Sequence, residues 1–387
     1  MRFIVLILFI LIVMICEWLV CSKRLFPKSS HNRKIYIAIS YSLGYLPLFV
    51  LPLFSDIVDT QRALTWAVLL ALTNISVKIP LIIYLLIHKK NRKYPISAKI
   101  LYALYLAIIA LIVAYGATFG RNEIRVEHVT ITSNKIPSSF NGYKIAQFSD
   151  AHVGNVMMSN DIFKRMADTI NYYNVDLIAQ TGDLVNMTHE ELNPQVINKL
   201  KRLKSKDGVV SVLGNHDLGF YVSDREFAQQ IFDSMRIYQR EKLDWKLLEN
   251  QNFFVYRGDD SIAITGITYP NNLNHNNKNS FFGGSNIAKA LDGVSDSTFT
   301  VMASHTPVHF DSLAAQPVDL MLSGHVHAMQ FKIGDWSPAK FLFEKYSGLY
   351  TVNKRHLYVN DGFGYVLYPF RFGAKPEITI ITLKPSN

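Results

Sequence analysis

Cysteine is nearly absent from this 387-residue chain, which has only Cys16 and Cys21. Beyond residue 21, no disulfide framework and no cysteine-based zinc knuckle can form. Acidic residues are scarce in the first 119 positions, where Glu17, Asp56 and Asp59 face 13 lysines and arginines. That leaves 27 residues of each sign for the remainder, so the formal charge of +10 belongs to the N-terminal third. The C-terminal part also lacks a basic stripe interleaved with aromatics. Nucleic acid is therefore not an expected partner. Internal repeats and long low-complexity segments are missing too.

The first third has long apolar runs instead. They cover roughly residues 3–20, 35–54, 63–87 and 96–119. About 20 helical residues cross a hydrocarbon core of ~30 Å, so each run predicts a transmembrane helix. The first run is longer than the apolar part of a cleaved signal peptide and is followed by no small-residue cleavage site. The loop after it carries Lys23, Arg24, Lys28, Arg33 and Lys34, and the loop after the third carries Lys89, Lys90, Arg92, Lys93 and Lys99. Basic loops stay cytoplasmic. That rule predicts a multi-pass cell-membrane protein, with everything after Gly120 outside the cytoplasm. Glu17 in the first run and Lys78 in the third each fall roughly 20 Å from the outer end of their helix, a depth at which they can pair. Pro80 predicts a kink.

After residue 119 the pattern changes. Short β-branched runs end in polar turns: "YKIAQFSD", "VDLIAQTGD", "GVVSVLGNHD", "SIAITGITY", "FTVMASHTP" and "VDLMLSGHVH". Helical periodicity separates the first three, with Ile162, Met166 and Ile170 in one segment near 159–173 and another near 190–203. Strands alternating with helices predict an α/β fold, in which sites gather beyond the C-terminal ends of strands. The expected division is a transmembrane helical region of about four spans at 1–119, a linker with the first strand at 120–140, and a domain at 141–387. The Asn-rich stretch around His275 reads as a surface loop, and His189 as a surface residue.

The polar ends carry the chemistry. They supply Asp150 and His152, then Asp183, then Asn215, His216 and Asp217, then His305, and finally His325 and His327. Asp150 and His152 are two apart, which on an extended backbone places both side chains on one face. Oxygen ligands mixed with imidazole suit Mn, Fe or Zn ions rather than a thiolate site. Seven donors exceed what one ion needs, so two divalent ions sharing a carboxylate are expected. Such a pair clamps phosphate oxygens and acidifies a shared water, whose hydroxide attacks in line.

The motifs "SDAH", "GD", "GNHD", "SHTP" and "GHVH" resemble the calcineurin-like metallophosphoesterases, over about 141–383. The tail "NDGFGYVLYPFRFGAKPEITIITL" resembles the membrane-linked bacterial branch of that family. The resemblance implies a four-layer α/β/β/α sandwich and a metal-dependent phosphoric ester hydrolase. Asp150, His152 and His327 would bind one metal, and Asn215, His305 and His325 the other, with Asp183 bridging. His216 would be the catalytic histidine, giving the leaving oxygen a proton or stabilising an equatorial one. Asp217 would hold the His216 ring in one tautomer or cap the following turn. Ala328 and Met329 stand where that branch often has two glycines. The membrane tether points to an envelope or lipid-linked phosphate mono- or diester as substrate. The competing readings are a pyrophosphatase of a nucleotide-linked lipid and a non-catalytic membrane scaffold.

Overall fold

The computed structural model describes residue 15 and residues 96–386, apart from 156, 223 and 271–283. The first three apolar runs, both cysteines, Glu17, Lys78, Pro80, the basic loop side chains and His275 lie outside the described residues. The chain divides into two compact units, Met1–Tyr115 and Gly116–Asn387.

In the first unit, helix α1 spans Ile96–Tyr115. Lys99 is its one charged residue, and Ile96, Ile100, Leu101, Leu104, Ile108 and Leu111 are exposed. With the turn at Gly116–Gly120 it is long and apolar enough to cross a membrane.

In the second unit the apolar runs become two six-stranded sheets. The strands are β1 (Arg125–Ser133), β2 (Lys144–Phe148), β3 (Leu177–Gln180), β4 (Val209–Ser211), β5 (Lys246–Leu247), β6 (Gln251–Arg257), β7 (Asp260–Gly266), β8 (Thr300–Ala303), β9 (Leu320–Ser323), β10 (Gly348–Val352), β11 (Arg355–Val359) and β12 (Glu377–Pro385). The first sheet has the order β1-β12-β2-β3-β4-β5, with only β12–β2 antiparallel among its pairs. The second has the order β10-β11-β9-β8-β7-β6, with a parallel centre and an antiparallel pair at each edge. All six expected strands are present. β1 pairs with β12 from Arg125↔Glu377 to Ser133↔Pro385.

Alternation along these strands builds the layers. Ile262 and Ile264, Val301 and Ala303, and Leu320 and Leu322 share one core with Ile145, Leu177, Val210 and Ile381 of the other sheet. The intervening Met302 and Met321 face a second core with Phe310, Leu313 and Leu357, closed by short helical turns. Helices α2 (Asp161–Tyr172), α3 (Pro194–Leu200) and α4 (Arg225–Ile237) connect successive parallel strands of the first sheet. Parallel crossovers of this kind are right-handed as a rule, which puts all three helices on one face of that sheet.

Two local expectations change. The helix read at 190–203 shrinks to α3, because Asn193 caps it through the Val196 amide and Pro194 sits at its first turn. The preceding turn buries His189, whose ring packs on Tyr238 at 6.0 Å, so it is not a surface residue.

Candidate metal centre

The ends of β2, β3, β8 and β9 and the loop after β4 bring the polar residues together. Asp150, His152, Asp183, Asn215, His216, Asp217, His305 and His327 are all buried, and His325 is half-buried. Side-chain ligand atoms converge in three sets: Asp150 with His152 and His327, His152 with Asp183 and His216, and Asp183 with His305 and His325.

The backbone that presents them is not extended. Asp150, His152 and Asp183 have φ of 52°, 44° and 54°, and His325 and His327 have 74° and 56°. Left-handed residues cost roughly 1–2 kcal/mol each, and such strain gathers at functional sites. Asp150 and His152 thus share a side through two tight turns rather than through strand alternation. The turns are tied across strands: Asp150 N–H donates to the Gly182 carbonyl at 2.9 Å and His152 N–H to that of Asp183 at 3.2 Å. Gly182 has φ 96°, and a Cβ there would collide with the His305 ring.

In the first half of the cluster, Asp150 Oδ1 lies 3.1 Å from His327 Nε2, which is 3.1 Å from His152 Nε2. In the second, Asp183 Oδ2 lies 3.0 Å from His305 Nε2, which is 3.2 Å from His325 Nδ1. Between two imidazole nitrogens only one proton fits, and these nitrogens also surround two carboxylates. Asp150 Oδ1, His152 Nδ1 and Asn215 Oδ1 are buried without a hydrogen-bond partner, a costly state in a dry interior. Cations would satisfy both halves, so the donor set fits the two ions expected.

The electrostatics agree. Burial works against ionisation, yet the charges of His327 and His305 hold the Asp150 carboxyl well below the usual carboxylate range. Against burial, Asp183 and Asp150 lift the His305 imidazole to about 9. Burial and the neighbouring His305 push His325 down to about 3. A proton on His305 here neutralises carboxylates that a metal would neutralise.

The GNHD loop departs from expectation at Asp217. Its Oδ1 accepts from the amides of Leu184 at 2.9 Å and Val185 at 3.2 Å, and its Oδ2 from that of Gly214 at 2.9 Å. Burial and the Asp183 charge push its carboxyl up to about 7. The His216 ring is held elsewhere, by Nδ1 against the Asn186 carbonyl. Asp217 therefore pins two loops and does not orient the imidazole. His216 N–H donates to Asp183 Oδ1 at 2.9 Å, and its ring packs on those of His152 and Tyr221 at 4.6 and 4.5 Å. Asn215 Nδ2 donates to the Tyr221 hydroxyl at 2.8 Å, which leaves Oδ1 as the free ligand atom.

A family model described as calcineurin-like phosphoesterase matches residues 143–329. The chain is 30% identical over 280 residues to the uncharacterised metallophosphoesterase YkuE of Bacillus subtilis, covering 70% of this chain and 90% of that protein. The chain belongs to the calcineurin-like phosphoesterase family. It is also 28% identical to a Danio rerio transmembrane protein with metallophosphoesterase domain, over 73% of this chain and 62% of that one. An uncharacterised metallophosphoesterase of Campylobacter jejuni is 23% identical, over 78% of this chain and 75% of that one. Membership makes this protein a metal-dependent phosphoesterase, with bacterial relatives matching the branch that its tail resembles.

One residue of this phosphoesterase escaped the motif reading. Arg371, in the tail, is fully buried, and burial lowers its guanidinium to about 10. It donates to the carbonyls of Gly364, Asp361 and Ala374 at 2.6, 2.9 and 2.7 Å, and through Nη2 to His327 Nδ1 at 3.0 Å. A neutral His327 must then carry its proton on Nε2, and a cation binding there displaces it. The signal available was an arginine between two phenylalanines in an aromatic, glycine-rich stretch of the tail.

Proposed function

We propose that this chain is a membrane-anchored, two-metal phosphoesterase that cleaves phosphate mono- or diesters outside the cytoplasm. Residues 1–119 form about four spans, 120–140 a linker with the first strand, and 141–387 the enzyme. The observation that carries this reading is the convergence of buried carboxylate and imidazole atoms at strand ends, beside an Asn215 Oδ1 that no described residue satisfies. Asp150, His152 and His327 hold one ion, Asn215, His305 and His325 hold the other, and Asp183 is shared. When bound, two such ions neutralise phosphate oxygens and acidify an attacking water.

The chain's own groups do the rest. The Asn186 carbonyl fixes His216 Nδ1 as a donor, so Nε2 is the atom that exchanges a proton. Only the doubly protonated ring can pass that proton to a leaving alkoxide. Asp217 keeps the loop against Leu184 and Val185, which fixes where Asn215 and His216 stand. Anchoring is supported by the apolar α1 and by the animal relative's designation as a transmembrane protein. Orientation is supported by the basic loops of the first third. A tethered site favours an envelope or lipid-linked phosphate.

The test uses the full chain in nanodiscs, with a chromogenic phosphodiester and monoester and with Mn²⁺, Zn²⁺ or a chelator. Hydrolysis of at least one ester, abolished by chelation, is expected. A folded, metal-loaded chain inert on both would contradict the reading for those esters. A C-terminal fluorescent protein that matures only in the cytoplasm should stay dark, and fluorescence would reverse the orientation.

A further inference from the structure

Just past the ligand His327, the chain turns large apolar side chains toward solvent. Ile333, Trp336, Phe341 and Leu342 are 60%, 42%, 77% and 70% exposed. Between residues 329 and 343, only Lys332, Asp335 and Lys340 are charged, and Lys332 is taken up by Asp361 and Ser347. A single exposed leucine needs no explanation, but a contiguous apolar cluster does.

The cluster is built rather than frayed. Trp336 packs edge-on against Phe331 and Phe341, each at 6.4 Å and 6.4 Å between centroids. Ile333 and Trp336 exchange backbone hydrogen bonds of 2.9 and 3.2 Å. Ser337 caps the turn Pro338–Phe341 by accepting from the Ala339 amide at 3.1 Å.

Its connections indicate what covers it. Phe331 stacks on Phe372 at 5.4 Å, and Lys332 N–H donates to the Phe372 carbonyl at 2.7 Å. Next in the chain, Arg371 N–H donates to the Gly116 carbonyl at 3.0 Å, and the Phe370 ring lies against Gly116. Gly116 is the residue at which the apolar α1 gives way to the domain. The exposed cluster is thus fastened, through the three consecutive tail residues Phe370, Arg371 and Phe372, to Gly116 at the end of the apolar α1. Trp336 and Lys340 at its border suit the headgroup region, where aromatic rings and snorkelling lysines collect.

We infer that Ile333, Trp336, Phe341 and Leu342 rest in the headgroup region of the membrane that anchors the chain, giving the domain a second lipid contact. This rests on the membrane-anchored reading. Weak intrinsic affinity for lipid suffices, because the tether makes the contact intramolecular.

The test uses the full chain with Cys16→Ala and Cys21→Ala, reconstituted in phosphatidylcholine–phosphatidylglycerol vesicles. Single cysteines are introduced as Phe341→Cys, Ile333→Cys or, as an exposed control on α2, Tyr172→Cys, and labelled with an environment-sensitive fluorophore. Lipids spin-labelled near the headgroup should quench positions 341 and 333 at least about twice as strongly as position 172, with blue-shifted emission. Equal quenching at all three overturns the inference. A blue shift without lipid quenching also overturns it, and assigns the face to a protein such as a second copy. Flotation separates the two readings: a chain that fails to float refutes the anchor and this contact together. A floating chain that is unquenched at 341 refutes the contact alone.

Discussion

The two halves of the metal cluster differ in how they are backed. At the Asp150–His152–His327 half all three side chains are buried, and Arg371 holds His327 from behind while three carbonyls hold Arg371. At the Asp183–His305–His325 half, His305 Nδ1 meets the Thr181 carbonyl at 2.8 Å, and His325 is half-buried beside Tyr269 at 5.9 Å. The exposed Tyr221 rises from the same side through Asn215. The first half is enclosed and braced, and the second is open at His325.

The largest effect should come from the residue that both halves share. Asp183→Ala should lose metal from both and reduce hydrolysis to background, measured by elemental analysis and ester turnover. His216→Ala tests the chemistry apart from the ligands. Turnover should fall ~10²–10⁴-fold while metal content stays near wild type. Arg371→Ala breaks the comparison between halves. Loss of a group supporting a ligand typically costs about 10–100-fold in metal affinity, so one ion should titrate weakly and the other as before. Arg371→Lys should rescue little, since one ammonium cannot reach three carbonyls and an imidazole together. Chelation probes both halves at once. An ion at about 100 times its Kd adds ~2.7 kcal/mol per site, so removing both should lower Tm by roughly 10–20 °C. The smallest effect concerns Ala328 and Met329, at φ 46° and 48°. Met329→Gly should raise stability by about 0.5–1 kcal/mol in denaturant melts, because Met329 is exposed and contributes little burial.

Glycine adopts such backbone angles without strain, which the sequence of Ala328 and Met329 alone does not reveal. The central strands were legible because each is apolar on both faces and ends in a polar residue. The cluster itself was legible because five histidines and three aspartates recur just past apolar runs, and the structure brings them together. The edge hairpin β10–β11 was not identified as strands, and neither was the closing strand β12, whose partner is distant in sequence: β12 joins β1 across the whole domain. Arg371 was hidden for the same reason, being 44 residues from the imidazole it supports. Asp217 misled because adjacency to His216 suggested a side-chain pair, whereas consecutive residues in a tight turn point apart and Asp217 reaches the β3 loop instead.

The central claim is that this cluster binds two cations through Asp183. The most direct measurement is the metal content of the purified full chain beside that of Asp183→Ala, by elemental mass spectrometry after equilibration with Mn²⁺ or Zn²⁺. Two ions per wild-type chain and nearly none in the variant are predicted. A folded wild-type chain that binds no metal, or a variant that keeps both ions, would contradict the account.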